Sequence, residues 1–415
     1  MRMQSASVLR RVIFLGCCIF ALTLPFDFPL KNINFSLPLI KSFLVAQIIL
    51  LLLIWELLII FERKIIIRAP SLFVPIVAFF FLHLFSSIIP SERLVWSLKY
   101  TFRFFGVGLI LLILINFIKE KKQLDYLMSC LFIGAGIAAM FVVIQYQRSF
   151  LSPEVQNFFE TAQVSPHRIR GLFGWPTVMC VYLGSFIPLL ISCLIYKPNK
   201  GKFWEKFFYI FLFSIIILSL ILSRSRGWVL GLFCGLITLW FLHLINEKDY
   251  ATFWITIIIL MAGFLVFWGS GMYKFIISDL EPSELFRRRL VREALAMIGQ
   301  YPIRGIGADM FYWKSSSGFR THNIFLETTV NLGIFGFFIL LWMLYRTFRT
   351  IAKGIFKDNA FKNSYIQVGI IGSLASFLGH NQVDYFWQIA QIAGLFWILV
   401  GAGVCAHNLA KGVRN

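Results

Sequence analysis

Two short stretches carry the residue types and spacing that suit chemistry. One is His322-Asn323, followed by nine residues and then Gly333-Ile334-Phe335-Gly336; the other is Ser223-Arg224-Ser225-Arg226-Gly227-Trp228. Each opens an apolar run of helical length. A helix N-terminus offers unpaired N–H groups and the positive end of the macrodipole, which disfavours an imidazolium and attracts anions. A neutral histidine in that position is a candidate general base. The alternative is an interfacial cap whose work is shared with Thr321 or Asn323. Arg224 and Arg226 suit a diphosphate, because a guanidinium fork matches phosphate oxygens two at a time. Gly227 beside them permits close backbone approach. The alternative for this pair is snorkelling anchors next to Trp228.

Other chemistries have less to stand on. No Asp-x-Asp pair occurs, and Asp27, Glu92, Glu154, Glu160, Asp279, Glu281, Glu284, Asp309 and Asp384 are scattered, so neither a metal site nor a cofactor is expected. His380-Asn381-Gln382-Val383-Asp384 ends a later apolar run and is a candidate lining of the same cavity. His83 and His243 read as packing or interfacial residues. The seven cysteines, Cys17, Cys18, Cys130, Cys234 and Cys405 among them, fall in apolar runs and fit neither a disulfide framework nor a zinc spacing.

The elements that must position these groups follow from composition. Of 415 residues, 59% are hydrophobic and only 14% charged, against about a quarter charged in a soluble domain. Apolar runs of about 20 residues recur throughout, each long enough to cross a hydrocarbon core. The expected fold is an all-α polytopic integral membrane protein; the short alternating strands of a β-barrel are absent. Windows near 12–26, 39–61, 70–89, 101–118, 124–147, 171–196, 204–223, 227–245, 252–270, 323–345, 364–383 and 386–408 give about twelve transmembrane helices in one domain, 1–415. The stretch after Arg10 and Arg11 lacks a small-residue cleavage site and reads as a retained first span.

The net charge of +20 suggests headgroup contact and topology control before it suggests nucleic acid. Basic residues at the N-terminus and in alternate loops predict that both termini are cytoplasmic. The outward side nevertheless carries Arg93, Lys99, Arg103, Arg148, Arg168, Arg170, Arg224, Arg226, Arg287, Arg288, Arg289, Arg292, Arg304, Lys314 and Arg320. Orientation does not explain these; an outward-facing polyanion does. Two outward loops stand out, 148–170 and the larger 271–322. Within the second, Ser283 to Met297 has helical spacing, with Leu285, Leu290, Leu295 and Ile298 as an apolar edge. Pro302, Gly305 and Gly307 then break the helix.

On these residues the chain resembles O-antigen ligase, of the O-antigen ligase and polymerase superfamily. The most specific part is the motif from His322 to Gly336. Ser225-Arg226-Gly227 is similar to the family's Ser-Arg element, and Ala294-Leu295 through Pro302, Gly305 and Gly307 to its loop before the histidine. Arg304 stands where an apolar residue is usual. The resemblance implies a GT-C-like fold in the bacterial inner membrane with a periplasmic active site and short helices in the large loop. It implies metal-independent, inverting transfer of a glycan from undecaprenyl diphosphate to a hydroxyl of lipid A-core, with no nucleic-acid partner. His322 would activate the acceptor. Arg226, Arg224 and one of Arg287, Arg288 and Arg289 would hold the diphosphate, with Asn323, Arg292 and Arg170 in support. An O-antigen polymerase or a protein O-oligosaccharyltransferase would use the same donor. A transporter of a lipid-linked anion is the alternative of another class, but it should show inverted repeats and mid-membrane ionisable residues.

Overall fold

The computed structural model describes residues 2–26, 43–62, 71–148, 169–197, 203–223, 225–247, 281–356 and 364–410. Regular structure among these residues is entirely helical. The first five helices are α1 (Arg2–Thr23), α2 (Phe43–Glu62), α3 (Phe73–Ile88), α4 (Leu94–Phe117) and α5 (Lys121–Arg148). After them come α6 (Pro176–Gly184), α7 (Phe186–Tyr196), α8 (Phe203–Leu222) and α9 (Gly227–Glu247). The remainder are α10 (Glu281–Gln300), α11 (Phe311–Lys314), α12 (Ile324–Ala352), α13 (Tyr365–His380) and α14 (Ala390–Ala410).

Eleven of the twelve expected spans coincide with helices, α6 and α7 together forming one; the expected span at 252–270 lies outside the described residues. Among the described residues nine spans are long and apolar enough to cross a membrane, while α3 and α13 have 16 residues each. The chain is a multi-pass membrane protein. Two helices outrun their apolar windows. The first turns of α4 carry Lys99, and the last turns of α12 carry Arg346 and Arg349.

Pro176–Tyr196 and Ala390–Ala410 have 83% of their apolar window buried inside the protein, against 28–50% for the other seven long spans. They and α13 therefore form the centre of the bundle, and the others face lipid. In the first turn of α7, Pro188 has no N–H to offer the Gly184 carbonyl, and Ser376 of α13 donates to that oxygen instead at 3.5 Å.

The packing that matters for function is α9 on α13. Gly227, Gly231 and Gly235 recur every fourth residue along one face of α9. A Cβ at Gly231 would lie 2.7 Å from the Ser376 carbonyl oxygen, and one at Gly235 3.0 Å from that of Gly372. Within lipid, small residues are what let two helix backbones approach this closely. The contact presses the end of α13, with His380 and Asp384, against the start of α9.

α12 is interrupted at Gly333, where φ is 72° and ψ −172°, a conformation open essentially only to glycine. The break exposes backbone groups, and the 302–307 loop satisfies them. Ile306 and Gly307 donate to the carbonyls of Val330 and Asn331, each at 3.0 Å, and Ile334 donates to Pro302 at 2.9 Å. A Cβ on Gly333 would lie 1.9 Å from the Ile303 carbonyl oxygen. Gly333→Ala should therefore cost about 3 kcal/mol from the forbidden backbone and the displaced loop together. A lowered thermal midpoint of the detergent-solubilised protein checks this, and an unchanged midpoint refutes it.

Candidate functional site

The site is built where the loop before α12 meets the end of α13. Asn323 caps α12: its Oδ1 accepts from the N–H groups of Phe325 and Leu326 at 3.0 and 2.9 Å. Its Nδ2 donates to the side chain of Gln382 at 3.0 Å, and Ile324 donates to the carbonyl of Asn381 at 2.9 Å. Glu327 N–H is taken by the Asn323 carbonyl. The first-turn N–H groups of α12 thus all have partners within the protein. The expectation that this helix end offers them to an anion is corrected: Asn323 and Asn381 occupy them, and only the helix dipole remains.

His322 stands just ahead of the cap with φ 57°, uncommon for a residue with a side chain. Buried bonds on both sides hold it there. Glu327, 1% exposed, accepts the Thr321 backbone N–H at 2.8 Å and the Asn331 amide at 3.0 Å. One step back, Arg320 donates twice to Asp309 Oδ1, at 2.6 and 3.1 Å, while Trp96 donates to Asp309 Oδ2 at 2.7 Å. Burial pushes the Asp309 carboxyl up, and Arg320 and Trp96 oppose it. Tyr100 and Tyr385 share a hydroxyl contact. This network ties α4, α11 and the end of α13 to the histidine loop.

Asp384 is the centre of the arrangement. Its Oδ1 lies 3.0 Å from His322 Nδ1 and 3.9 Å from Arg287 Nη2; its Oδ2 lies 3.5 Å from His380 Nε2. Burial works against its ionisation, but hydrogen bonds and charge from His322 and His380 outweigh it and hold the carboxyl down to about 2. An ionised Asp384 fixes the His322 proton on Nδ1 and leaves Nε2 as an acceptor. The His322 side chain is 25% exposed, so that acceptor is accessible.

His322 and Arg287 also share a cavity of about 670 Å³ between α10 and α12. Its polar end is formed by Arg287, His322, Asn323 and Gln382, and its walls by apolar residues that include Val291, Leu295, Phe325 and Phe337. The buried face of α10 differs from the expected edge. Leu290 and Ala294 pack with Ile306, Met310, Phe311 and Val330, whereas Leu285 and Leu295 are exposed. Ile298 is only partly buried, and with Leu295 it lines the cavity. Helical phase puts residues 290 and 294, one turn apart, on one side, and Leu285 and Leu295 off it.

The sequence-derived residues divide accordingly. Arg226 directly precedes Gly227, where a Cβ would come within 2.7 Å of His380 Nε2 and 3.2 Å of Asp384 Oδ2. His322 and Arg287 thus reach Asp384 directly, Gly227 next to Arg226 lies against it, and Asn323 is held one step away by Gln382. Arg288, Arg289 and Arg292 are exposed on α10, with Arg289 Nε donating to Glu293 at 3.1 Å. Arg170 donates to the Gly174 carbonyl at 3.3 Å in the turn between α5 and α6. Arg304 lies over the Tyr301 ring at 5.0 Å. Arg224 lies outside the described residues, as do 149–168 and 271–280 of the two loops.

Residues 210–341 match a family model described as O-antigen ligase. The chain resembles the O-antigen ligase family. No curated protein matches the chain. The stretch shared with the family holds Arg226, the α10 arginines, His322 and both glycines of the motif. Asp384 and His380 lie beyond it. Sequence reading placed the run His380-Asn381-Gln382-Val383-Asp384 as a candidate lining of the cavity but did not pair Asp384 with His322; the signal was that polar run closing an otherwise apolar helix.

Proposed function

We propose that the protein is an O-antigen ligase of the bacterial inner membrane, with both termini cytoplasmic and its active site facing the periplasm. The carrying observation is the His322–Asp384 pair at the mouth of an apolar groove, with Arg287 on the rim and Arg226 beside it. In the proposed step, the hydroxyl oxygen of a lipid A-core sugar attacks the anomeric carbon of an undecaprenyl-diphosphate-linked glycan. A new C–O bond forms as the bond to the diphosphate oxygen breaks, its electron pair leaving with the lipid diphosphate and the configuration inverting. The hydroxyl proton passes to His322 Nε2, and the resulting imidazolium stays paired with Asp384. Arg226 and Arg287 stabilise charge where it develops, so no metal is required. The groove suits the aliphatic part of the donor.

The reading is supported by the family match, by the one-sided cluster of arginines, and by polar pairs of another kind at the opposite helix ends. There Arg10 meets Glu62 at 2.7 Å, and Lys197 meets Glu205 and Tyr209. Reconstitution with a lipid-linked glycan and lipid A-core in the presence of EDTA tests it. Transfer to the core supports the ligase. Longer lipid-linked chains would mean a polymerase, and loss of transfer in EDTA would defeat metal independence. Arg226→Lys should lower transfer about ten- to a hundred-fold, because charge is kept but the two-pronged hydrogen bonding is not. A native rate in this variant would exclude bidentate phosphate binding at that position.

A further inference from the structure

We propose that Glu327 is a positioning residue: its carboxylate holds the loop that carries His322 in the left-handed backbone conformation from which the ring meets Asp384. The inference rests on the reading of His322 as the base.

His322 has φ 57°, and a residue with a Cβ keeps such a backbone only where its surroundings fix it on both sides. Thr321, 2% exposed, clamps it from one side, because its hydroxyl donates across His322 to the Asn323 carbonyl at 3.0 Å. That clamp needs an anchor of its own. Glu327 supplies it, with Oε2 accepting the Thr321 N–H at 2.8 Å. Long side chains on a helix lean back towards its N-terminus, which is how a residue in the first turns of α12 reaches one six positions earlier.

The other carboxylate oxygen is tied as well. Oε1 accepts from Asn331 Nδ2 at 3.0 Å, one turn further along α12. Asn331 cannot turn its amide round, since the same Nδ2 donates to the Glu327 carbonyl at 2.9 Å and Oδ1 accepts the Phe311 N–H at 2.9 Å. Its carbonyl takes the Gly307 N–H at 3.0 Å and the Ser86 hydroxyl at 3.1 Å. Two donors therefore converge on two buried oxygens, and a carboxylate, which only accepts, satisfies both. A carboxamide would set its own N–H against one of the donors, and a thioether would leave the Thr321 N–H buried and unpaired. The loop then relaxes towards ordinary negative φ. That redirects the Cα–Cβ bond of His322, and Nδ1 loses its 3.0 Å contact with Asp384. Asn323 still caps α12, so alignment is lost rather than the helix.

Glu327→Met, which keeps the volume, and Glu327→Gln, which keeps one acceptor, test this in full-length protein in nanodiscs. The first readout is hydrogen–deuterium exchange at the Thr321 amide, resolved by overlapping peptides. It should be slow in the native protein and faster by about tenfold or more in Glu327→Met; an amide that stays protected in that variant overturns the proposal. The second readout is single-turnover transfer. Its maximal rate should fall about ten- to a hundred-fold in Glu327→Met, and less in Glu327→Gln, because a misaligned base slows the chemical step. Half-saturating concentrations of both substrates should stay within about threefold of native, since binding is untouched. In a His322→Ala background, Glu327→Met should leave the residual rate within about twofold, because a residue acting through the histidine has nothing left to position. Equal fold-losses in the two backgrounds would make Glu327 a general structural residue and defeat the proposal. A native rate in a Glu327→Met protein whose Thr321 amide has been released would defeat it too. If neither variant folds, the native protein decides: a Thr321 amide exchanging as fast as an exposed one is fatal. Native transfer by His322→Ala would sink the base reading and leave the exchange result standing. A histidine that matters, with no coupling to Glu327, would sink this proposal alone.

Discussion

His322→Ala should lower single-turnover glycan transfer by about 10²- to 10⁴-fold, the usual worth of a positioned proton acceptor, while leaving insertion, the α12 cap and donor binding close to native. The separation is physical. Capping of α12 is carried by Asn323, whose carbonyl oxygen atom Oδ1 takes two first-turn N–H groups, and His322 contributes none of that. A histidine that merely caps would show the reverse pattern, with stability lost and rate retained. Asn323→Ala supplies the contrast. It should cost about 1 kcal/mol of stability through the lost cap, read as a lowered thermal midpoint. Transfer by His322→Ala within tenfold of native would mean that the acceptor hydroxyl gives up its proton elsewhere.

Much of this architecture was legible before any coordinates, because lipid leaves a chain few choices. Apolar length identifies the spans, and basic residues on the expected outward side mark a surface that topology alone does not require. The close approach allowed by Gly227 was also readable, since a glycine at a helix start beside arginines has few other uses. What the pattern did not reveal was long-range pairing. Asp384 is 62 residues from His322; its polar run at a helix end marked it as a cavity lining, but only the α9–α13 glycine packing shows that it pairs with the histidine. The break at Gly333 was hidden for a similar reason. A glycine within an apolar run reads as a packing residue, and only the returning 302–307 loop, which takes over the backbone hydrogen bonds, makes a non-helical residue there tolerable. The Asn323 cap competed with an anion for the same N–H groups, and the sequence could not say which would occupy them. Among the α10 arginines, helical phase decides: Arg287 faces the site, and its neighbours in sequence do not.

Asp384→Asn should be nearly as damaging to transfer as loss of the histidine, about 10²- to 10⁴-fold, although the side chain keeps its size. The carboxylate accepts the Nδ1 proton of His322 at 3.0 Å and so reserves Nε2 for the acceptor hydroxyl. A carboxamide can instead present its own N–H to Nδ1, which moves the ring proton to Nε2 and removes the acceptor. It also cannot stabilise the imidazolium that forms, and it leaves Arg287 without its counter-charge. Stability should respond to pH with a definite sign. The Asp384 carboxyl is lowered from 3.8 to about 2 in the folded protein, so its contribution is fully present above about pH 4 and is lost as pH falls towards 2. The stability difference between native protein and Asp384→Asn should accordingly shrink over that interval and stay level above it. A variant that transferred glycan at the native rate would show that the Nδ1 contact orients nothing of consequence, and the proton would then have to be assigned to a group outside the His322–Asp384 pair.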